Sequence, residues 1–286
     1  GNEKGVFMRF LAVNPVTARV LLLASVLLIV SSCSSEDRGS GRHVHWGYEG
    51  AEGPAEWGNL SPEYALCSSG ASQSPVDIDH TEVEGETPLV FDYGTSELNI
   101  AFHQHVENVV DNGHTIQVSV DEGSKLDVGG KAYQLKQFHF HAPSEHTIDG
   151  RQFPVEMHFV HQGESGDFVV VGVLVEEGGE SPSFAKVAPH LPRVKGESKS
   201  LEGLTLDLHL HVPQGDGAYV YSGSLTTPPC SEGVQWFVLR AHPTMSAAQI
   251  EALSSIIGPN NRPVQPLNKR RVRSMSFGGL PSDSGL

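Results

Sequence analysis

Histidine carries most of the chemistry legible in this 286-residue chain, which holds 15 of them. Four pairs have His-x-His spacing: His43/His45, His103/His105, His139/His141 and His209/His211. Residues i and i+2 of a strand point to the same face, so any of these pairs could chelate a metal. A lone pair is more commonly a structural or surface feature. Only His139/His141 has the rest of a catalytic centre around it. Both share a face with Gln137, while Phe138 and Phe140 face away. Asp149-Gly150 then supplies a hairpin turn signal. The chain returns through Val155-Glu-Met-His-Phe-Val160, where His158 shares a face with Glu156 and Val160. That return brings a third imidazole beside the first two. Three neutral imidazoles with one position left open is how catalytic zinc is commonly held. A ligating histidine usually gives its second N–H to a carboxylate, amide or carbonyl, and Gln137 and Glu156 lie on the faces where they could accept it. His146 and His161 read as hydrogen-bonded structural residues, and the other three pairs as structural or exposed.

The elements that must position these side chains are strands. Short alternating runs bounded by Gly, Asp, Asn and Pro predict strands at Thr115–Val120, Gln137–His141, Val155–Val160, Phe168–Val175 and Val234–Arg240. The clearest helix signal is Ser246–Ile257, with Ser246 as the cap and Ile250, Leu253 and Ile257 at helical spacing. Neither a repeat nor a second linker interrupts residues 42–270, so the reading is one domain, mostly β (α+β), with a few short helices. Residues 271–286, beginning Arg271-Val-Arg-Ser-Met-Ser-Phe-Gly-Gly, read as a disordered tail.

A formal charge of −15 makes nucleic acid and anionic membrane surfaces poor partners. Near the N-terminus, Met8-Arg9 and Arg19 precede an uncharged apolar run, Val20–Val30. That run is short for a membrane span and suits the core of a signal peptide. Ser31-Ser32-Cys33 follows, which reads as a lipoprotein site with Cys33 bearing lipid; the alternative is an ordinary signal peptide cut nearby. The expected organisation is an extension and signal peptide over 1–32, a Gly/Ser-rich tether over 33–41 and a catalytic domain over 42–270. The protein is then exported, periplasmic or in the cell envelope, with a lipid anchor to the membrane. Export favours disulfides. With Cys33 lipidated, Cys67 and Cys230 remain as a pair.

Beyond the histidines, the chain resembles the α-carbonic anhydrases, and most closely their exported bacterial branch. The resemblance rests on Gln137-Phe-His-Phe-His141, Ser144-Glu-His-Thr147, Glu156-Met-His-Phe-Val-His161, His45-Trp-Gly-Tyr48, Gln73-Ser-Pro-Val-Asp-Ile78, Asn112-Gly-His114, Tyr221-Ser-Gly-Ser-Leu-Thr-Thr-Pro-Pro-Cys230 and Asn261-Arg-Pro-Val-Gln265. It implies a large, twisted, mainly antiparallel central sheet with short surface helices. It implies zinc on His139, His141 and His158, with Gln137 and Glu156 orienting the rings. Thr226 resembles the threonine that accepts a hydrogen bond from zinc-bound hydroxide and donates to a glutamate, here Glu145. Val160, Val170, Leu225 and Trp236 resemble the apolar wall where carbon dioxide rests, with Thr227 beside it. His114 resembles the proton shuttle, with Tyr48 and Asn112 ordering the water chain. A disulfide from Cys67 to Cys230 would pin the Thr226 loop, and cis bonds are expected at Ser74-Pro75 and Pro228-Pro229.

The implied reaction is reversible hydration of carbon dioxide to bicarbonate and a proton. Neutral ligands leave zinc its full positive charge, and a group titrating near pH 6.5 suits proton export. A homodimer is left open. Three rivals stand beside this reading. A zinc ester hydrolase would need a larger pocket. A non-catalytic binding protein on the same fold would typically have lost a metal ligand. A zinc-buffering protein would use the additional His-x-His pairs.

Overall fold

The computed structural model describes residues 44–87, 89–102, 114–212 and 217–277. Cys33, His43, His103, His105 and Asn112 lie outside the described residues, as does the side chain of His209. One 13-stranded sheet dominates. Its strands are β1 (Thr81–Thr87), β2 (Leu89–Asp92), β3 (Thr95–Phe102), β4 (Ile116–Ser119), β5 (Lys125–Val128), β6 (Lys131–His141), β7 (Val155–Gly163), β8 (Phe168–Glu177), β9 (Ser198–Asp207), β10 (Gly217–Ser224), β11 (Glu232–Leu239) and β12 (Val272–Phe277). The short segment Thr244–Met245 adds to β8. Across the sheet the order is β9-β3-β4-β6-β7-β8-β11-β10-β12-β1, with β5 also on β6 and β2 on β5. Pairing is antiparallel except between β8 and β11, β12 and β1, and β8 and Thr244–Met245. This is the expected α+β architecture with a mainly antiparallel sheet.

Strand alternation divides the side chains between two apolar clusters. Phe138, Phe140 and Phe159 are wholly buried in the larger one, and the Phe138 and Phe159 rings stack with centroids 5.1 Å apart. Each such side chain contributes about 1.5–3 kcal/mol by leaving water. Val160, Val170, Leu225 and Trp236 belong to the second cluster. β8 is apolar on both faces because both are covered.

Short helices lie outside the sheet, notably α1 (Pro182–Val187) and α2 (Ala247–Ile257). The side chain of Ser246 accepts from the Gln249 N–H, and Gln249 caps Ser246 in return. Such a capping box is worth about 1 kcal/mol. Gly258, at φ 66°, terminates α2 in a conformation that a Cβ would disfavour. Asp149 and Gly150 take φ of 49° and 72° and turn the hairpin between Thr147–Ile148 and Arg151–Gln152, as their types predict. The Ser74-Pro75 and Pro228-Pro229 bonds are cis, and so is Ala142-Pro143.

The expectation of a disordered tail from residue 271 is corrected. β12 pairs with β10 on one side and β1 on the other, and Val272 is buried. Its Ser-rich sequence has little strand character of its own. Hydrogen bonding to two neighbours and packing of Met275 and Phe277 on the larger core supply the order. The folded domain therefore runs at least to Phe277, not to 270; residues 278–286 lie outside the described residues.

Candidate metal centre

The centre is built on two neighbouring strands. In the antiparallel pairing of β6 with β7, His139 stands opposite His158 and His141 opposite Glu156. Alternation then sends all three imidazoles to one face. Their rings pack with centroids 4.5–5.3 Å apart, and all three are buried. The donor atoms they can offer a metal lie within 4.8 Å of one another.

One nitrogen of each ring is engaged in holding it. His139 Nδ1–H donates to Gln137 Oε1 at 2.8 Å, and His158 Nε2–H donates to Glu156 Oε1 at 2.8 Å. His141 Nδ1–H donates to the backbone carbonyl of Asn260 at 2.7 Å. The opposite nitrogen of His141, Nε2, is buried with no hydrogen-bond partner. A buried ring nitrogen left this way costs free energy unless something binds it. Burial also holds the His141 imidazole down to about 4, and His158 is lowered for the same first reason. Both are therefore neutral at pH 7, as metal ligation requires. Three buried imidazoles in this arrangement, each held through one nitrogen, fit a divalent metal of zinc type.

Glu156 anchors a further layer. Its Oε1 also meets His146 Nδ1 at 2.7 Å, and its Oε2 accepts from the N–H groups of Glu145 and His146 at 2.9 and 2.8 Å. Burial would raise this carboxyl, but the adjacent His146 and His158 and their hydrogen bonds hold it well below the usual range. His146 in turn meets the Tyr221 hydroxyl through Nε2 at 2.6 Å. The grouping His146, Glu156 and His158 could also be read as a metal site. Both nitrogens of His146 are already engaged within the protein, so it buttresses the first cluster.

Glu145 lies between this layer and the Thr226 loop. It is buried, accepts from the Arg262 N–H at 2.9 Å, and sits 3.5 Å from His141 Nδ1. Burial pushes its carboxyl up to about 7, while His158, the Arg262 N–H and the Thr226 hydroxyl pull the other way. Thr226 and Thr227 are both buried, and the Cys230 N–H donates to the Thr227 carbonyl at 2.8 Å. The apolar residues expected beside the centre come together there. Val160 pairs with Val170, and Val170 with Trp236. The Trp236 ring lies 4.8 Å from that of His158. Leu225 completes the same cluster.

Cys67 and Cys230 form the expected disulfide, packed with Trp46, Trp57 and Tyr64. Tyr48 and His114 join the edge of this aromatic group, with ring centroids 5.9 Å apart. His45 is partly exposed against Glu52, and His211 is buried against Phe138, in keeping with structural or surface roles. His146 and His161 are buried and hydrogen-bonded.

This constellation matches the eukaryotic-type carbonic anhydrase family over residues 52–276. The chain belongs to the α-carbonic anhydrases. It is 42% identical to the carbonic anhydrase of Neisseria gonorrhoeae over 252 residues, covering 87% of this chain and 95% of that protein. It is 40% identical to that of Pectobacterium atrosepticum, covering 87% and 97%. Among solved structures, the α-carbonic anhydrase of Thermovibrio ammonificans superposes with a TM-score of 0.75 at 42% identity, covering 81% of this chain and 99% of that one. The protein is accordingly a zinc enzyme that reversibly hydrates carbon dioxide to bicarbonate.

Sequence reasoning gave no role to three residues of this carbonic anhydrase centre, although Arg262 lies in a motif that carries the family resemblance. Asn260 is one: besides holding His141, it donates through Nδ2 to Phe140 O at 2.9 Å and His114 O at 3.4 Å. Arg262 is buried and reaches Gln73 Oε1, Ser74 O and Cys67 O at 2.7–2.9 Å. Gly172 stands opposite His158, where a Cβ would come within 3.0 Å of Glu156 Oε1. A glycine inside an otherwise unbroken apolar strand was the one available signal.

Proposed function

We propose that the residues of this carbonic anhydrase divide the work as follows. His139, His141 and His158 hold zinc, while Gln137 and Glu156 fix the rings through the hydrogen bonds described above. Zinc, when bound, makes hydroxide available as a nucleophile at neutral pH. Thr226 accepts a hydrogen bond from the attacking oxygen and donates its own proton to the carboxylate of Glu145, which aims a lone pair at the carbon. Carbon dioxide rests on Val160, Val170, Leu225 and Trp236, with Thr227 alongside; this dry wall holds a nonpolar substrate and binds charged bicarbonate weakly. His114 carries the released proton outward, with Tyr48 and Asn112 ordering the water between.

The observation that carries this reading is the convergence of three buried imidazoles with an orphaned nitrogen on His141. Stopped-flow hydration of carbon dioxide combined with metal analysis tests it. One zinc per chain and rapid hydration are expected, with both lost in His141→Ala. Full zinc content in that variant overturns the ligand assignment.

We also place the enzyme outside the cytoplasm, as an exported bacterial type. Residues 1–32 serve as extension and signal peptide, residues 33–41 as tether, and lipid on Cys33 as the anchor. The Val20–Val30 run ahead of Ser31-Ser32-Cys33 supports this, and so does a disulfide, which persists in oxidising compartments. Sequencing the mature N-terminus decides it. A start at lipid-modified Cys33 is expected, and a start downstream of it overturns the anchor.

A further inference from the structure

His114 is gripped at both ring nitrogens. Nε2 lies 3.0 Å from the backbone carbonyl of Trp46, and Nδ1 lies 3.2 Å from Nζ of Lys195. A carbonyl oxygen only accepts, so the proton is on Nε2; an ammonium only donates, so Nδ1 is bare. Together the two contacts define a neutral imidazole in its Nε2–H form. An imidazolium carries N–H on both nitrogens and cannot keep this arrangement, since Nδ1–H would point at a cation. Every protonation of His114 must therefore break the contact with Lys195. The surroundings permit that. Lys195 is exposed, and both side chains line a cavity of about 320 Å³ open to solvent.

We propose that Lys195 is a positioning residue for proton export: it holds His114 in the neutral, proton-accepting form between turnovers and is displaced each time the ring takes a proton. The inference rests on His114 being the exit group. Repulsion between the incoming charge and Lys195 lowers the proton affinity of the ring and hastens release to solvent. Among the described residues, the other titratable groups facing the same cavity are His45, Tyr48, Glu49 and Glu52. Glu52 lies 3.1 Å from His45 Nδ1, and the His45 ring is 6.1 Å from that of His114. These carboxylates act in the opposite sense to Lys195, favouring the imidazolium once the ring has let go of the lysine.

The test is a proton NMR titration of the His114 ring in the zinc-loaded enzyme, with the resonance assigned by its loss in His114→Ala. Lys195→Gln is expected to raise the midpoint by roughly 0.5–1 pH unit, the size of one screened neighbouring charge. Lys195→Arg keeps the charge and should leave the midpoint near that of the parent. The acid limb of kcat in dilute buffer should move with the midpoint, while kcat/KM changes by less than about twofold. An identical midpoint in the parent and Lys195→Gln overturns the proposal, as does an equal shift in the Gln and Arg variants. Failure of the underlying reading looks different: His114→Ala would then turn over at full rate in dilute buffer, whatever the titration of the ring shows.

Discussion

Glu156 and His158 sit two residues apart on one strand and are joined through Oε1 and Nε2 at 2.8 Å. A period-2 strand turns both side chains to the same face, so the ligand and the group that orients it are placed by a single local conformation. The same carboxylate accepts from two backbone N–H groups and from His146. Four donors around one buried acceptor call for a full carboxylate, and an amide supplies only one accepting oxygen.

Glu156→Gln is therefore expected to weaken zinc binding by about 10–100-fold, as loss of an orienting partner does. Competition with a chelator measures it, with circular dichroism confirming that the variant is folded. Parent-like affinity would show that the hydrogen bond to His158 does not matter to the metal.

Thr226 is buried, its hydroxyl favours the charged form of the Glu145 carboxyl, and it is not among the grouped ligands. Thr226→Ala should keep one zinc per chain and lower kcat/KM by roughly a hundredfold, the usual scale for losing one hydrogen bond made to reacting atoms. Thr226→Ser, which retains the hydroxyl, should recover most of the rate. An unchanged kcat/KM in the alanine variant removes Thr226 from the mechanism.

Acid should destabilise the fold in a defined window. Burial holds His161 at about 3 and His211 at about 4, whereas an unfolded histidine titrates near about 6.5. Between those values the unfolded chain takes up protons that the folded chain refuses. The contribution to stability is thus complete above pH 6.5 and is lost as pH falls, towards about 4 for His211 and about 3 for His161. Within the window each group changes stability by up to roughly 1.4 kcal/mol per pH unit. Urea midpoints of the zinc-free protein should fall from pH 7 to pH 5, and less steeply in His161→Gln. Equal slopes in parent and variant would mean that His161 does not remain neutral.

Reduction of Cys67–Cys230 should lower the melting temperature while zinc stays bound. The bridge spans 163 residues, and the chain-entropy account gives about 5 kcal/mol as an upper figure for so long a loop. It supports the Thr226 loop: Gln73 Nε2 donates to the Cys230 carbonyl, and Arg262 Nη2 to the Cys67 carbonyl. The ligand strands β6 and β7 are not part of this link. Thermal unfolding with and without reductant, with thiols counted, is the measurement. Loss of zinc at the same reductant concentration would tie the bridge to the ligand strands after all.

What the sequence determined by itself was local in origin. Alternation over Gln137–His141 and Val155–Val160 dictates which side chains share a face, because a strand has period 2 whatever surrounds it. Ligands, orienting residues and the Asp149-Gly150 turn were legible for that reason, and so was the Ser246 cap of α2. What only the tertiary structure decided involves partners far apart in the chain. The Asn260 carbonyl holds His141 across 119 residues, and a backbone acceptor leaves no mark in side-chain pattern. Arg262 reaches Gln73, Ser74 and Cys67 from nearly 200 residues away, which no spacing rule anticipates. Lys195 meets His114 only because a surface loop is folded against it. Residues 272–277 read as tail because their own strand propensity is slight, and they become β12 because β10 and β1 each present an edge whose backbone groups need partners.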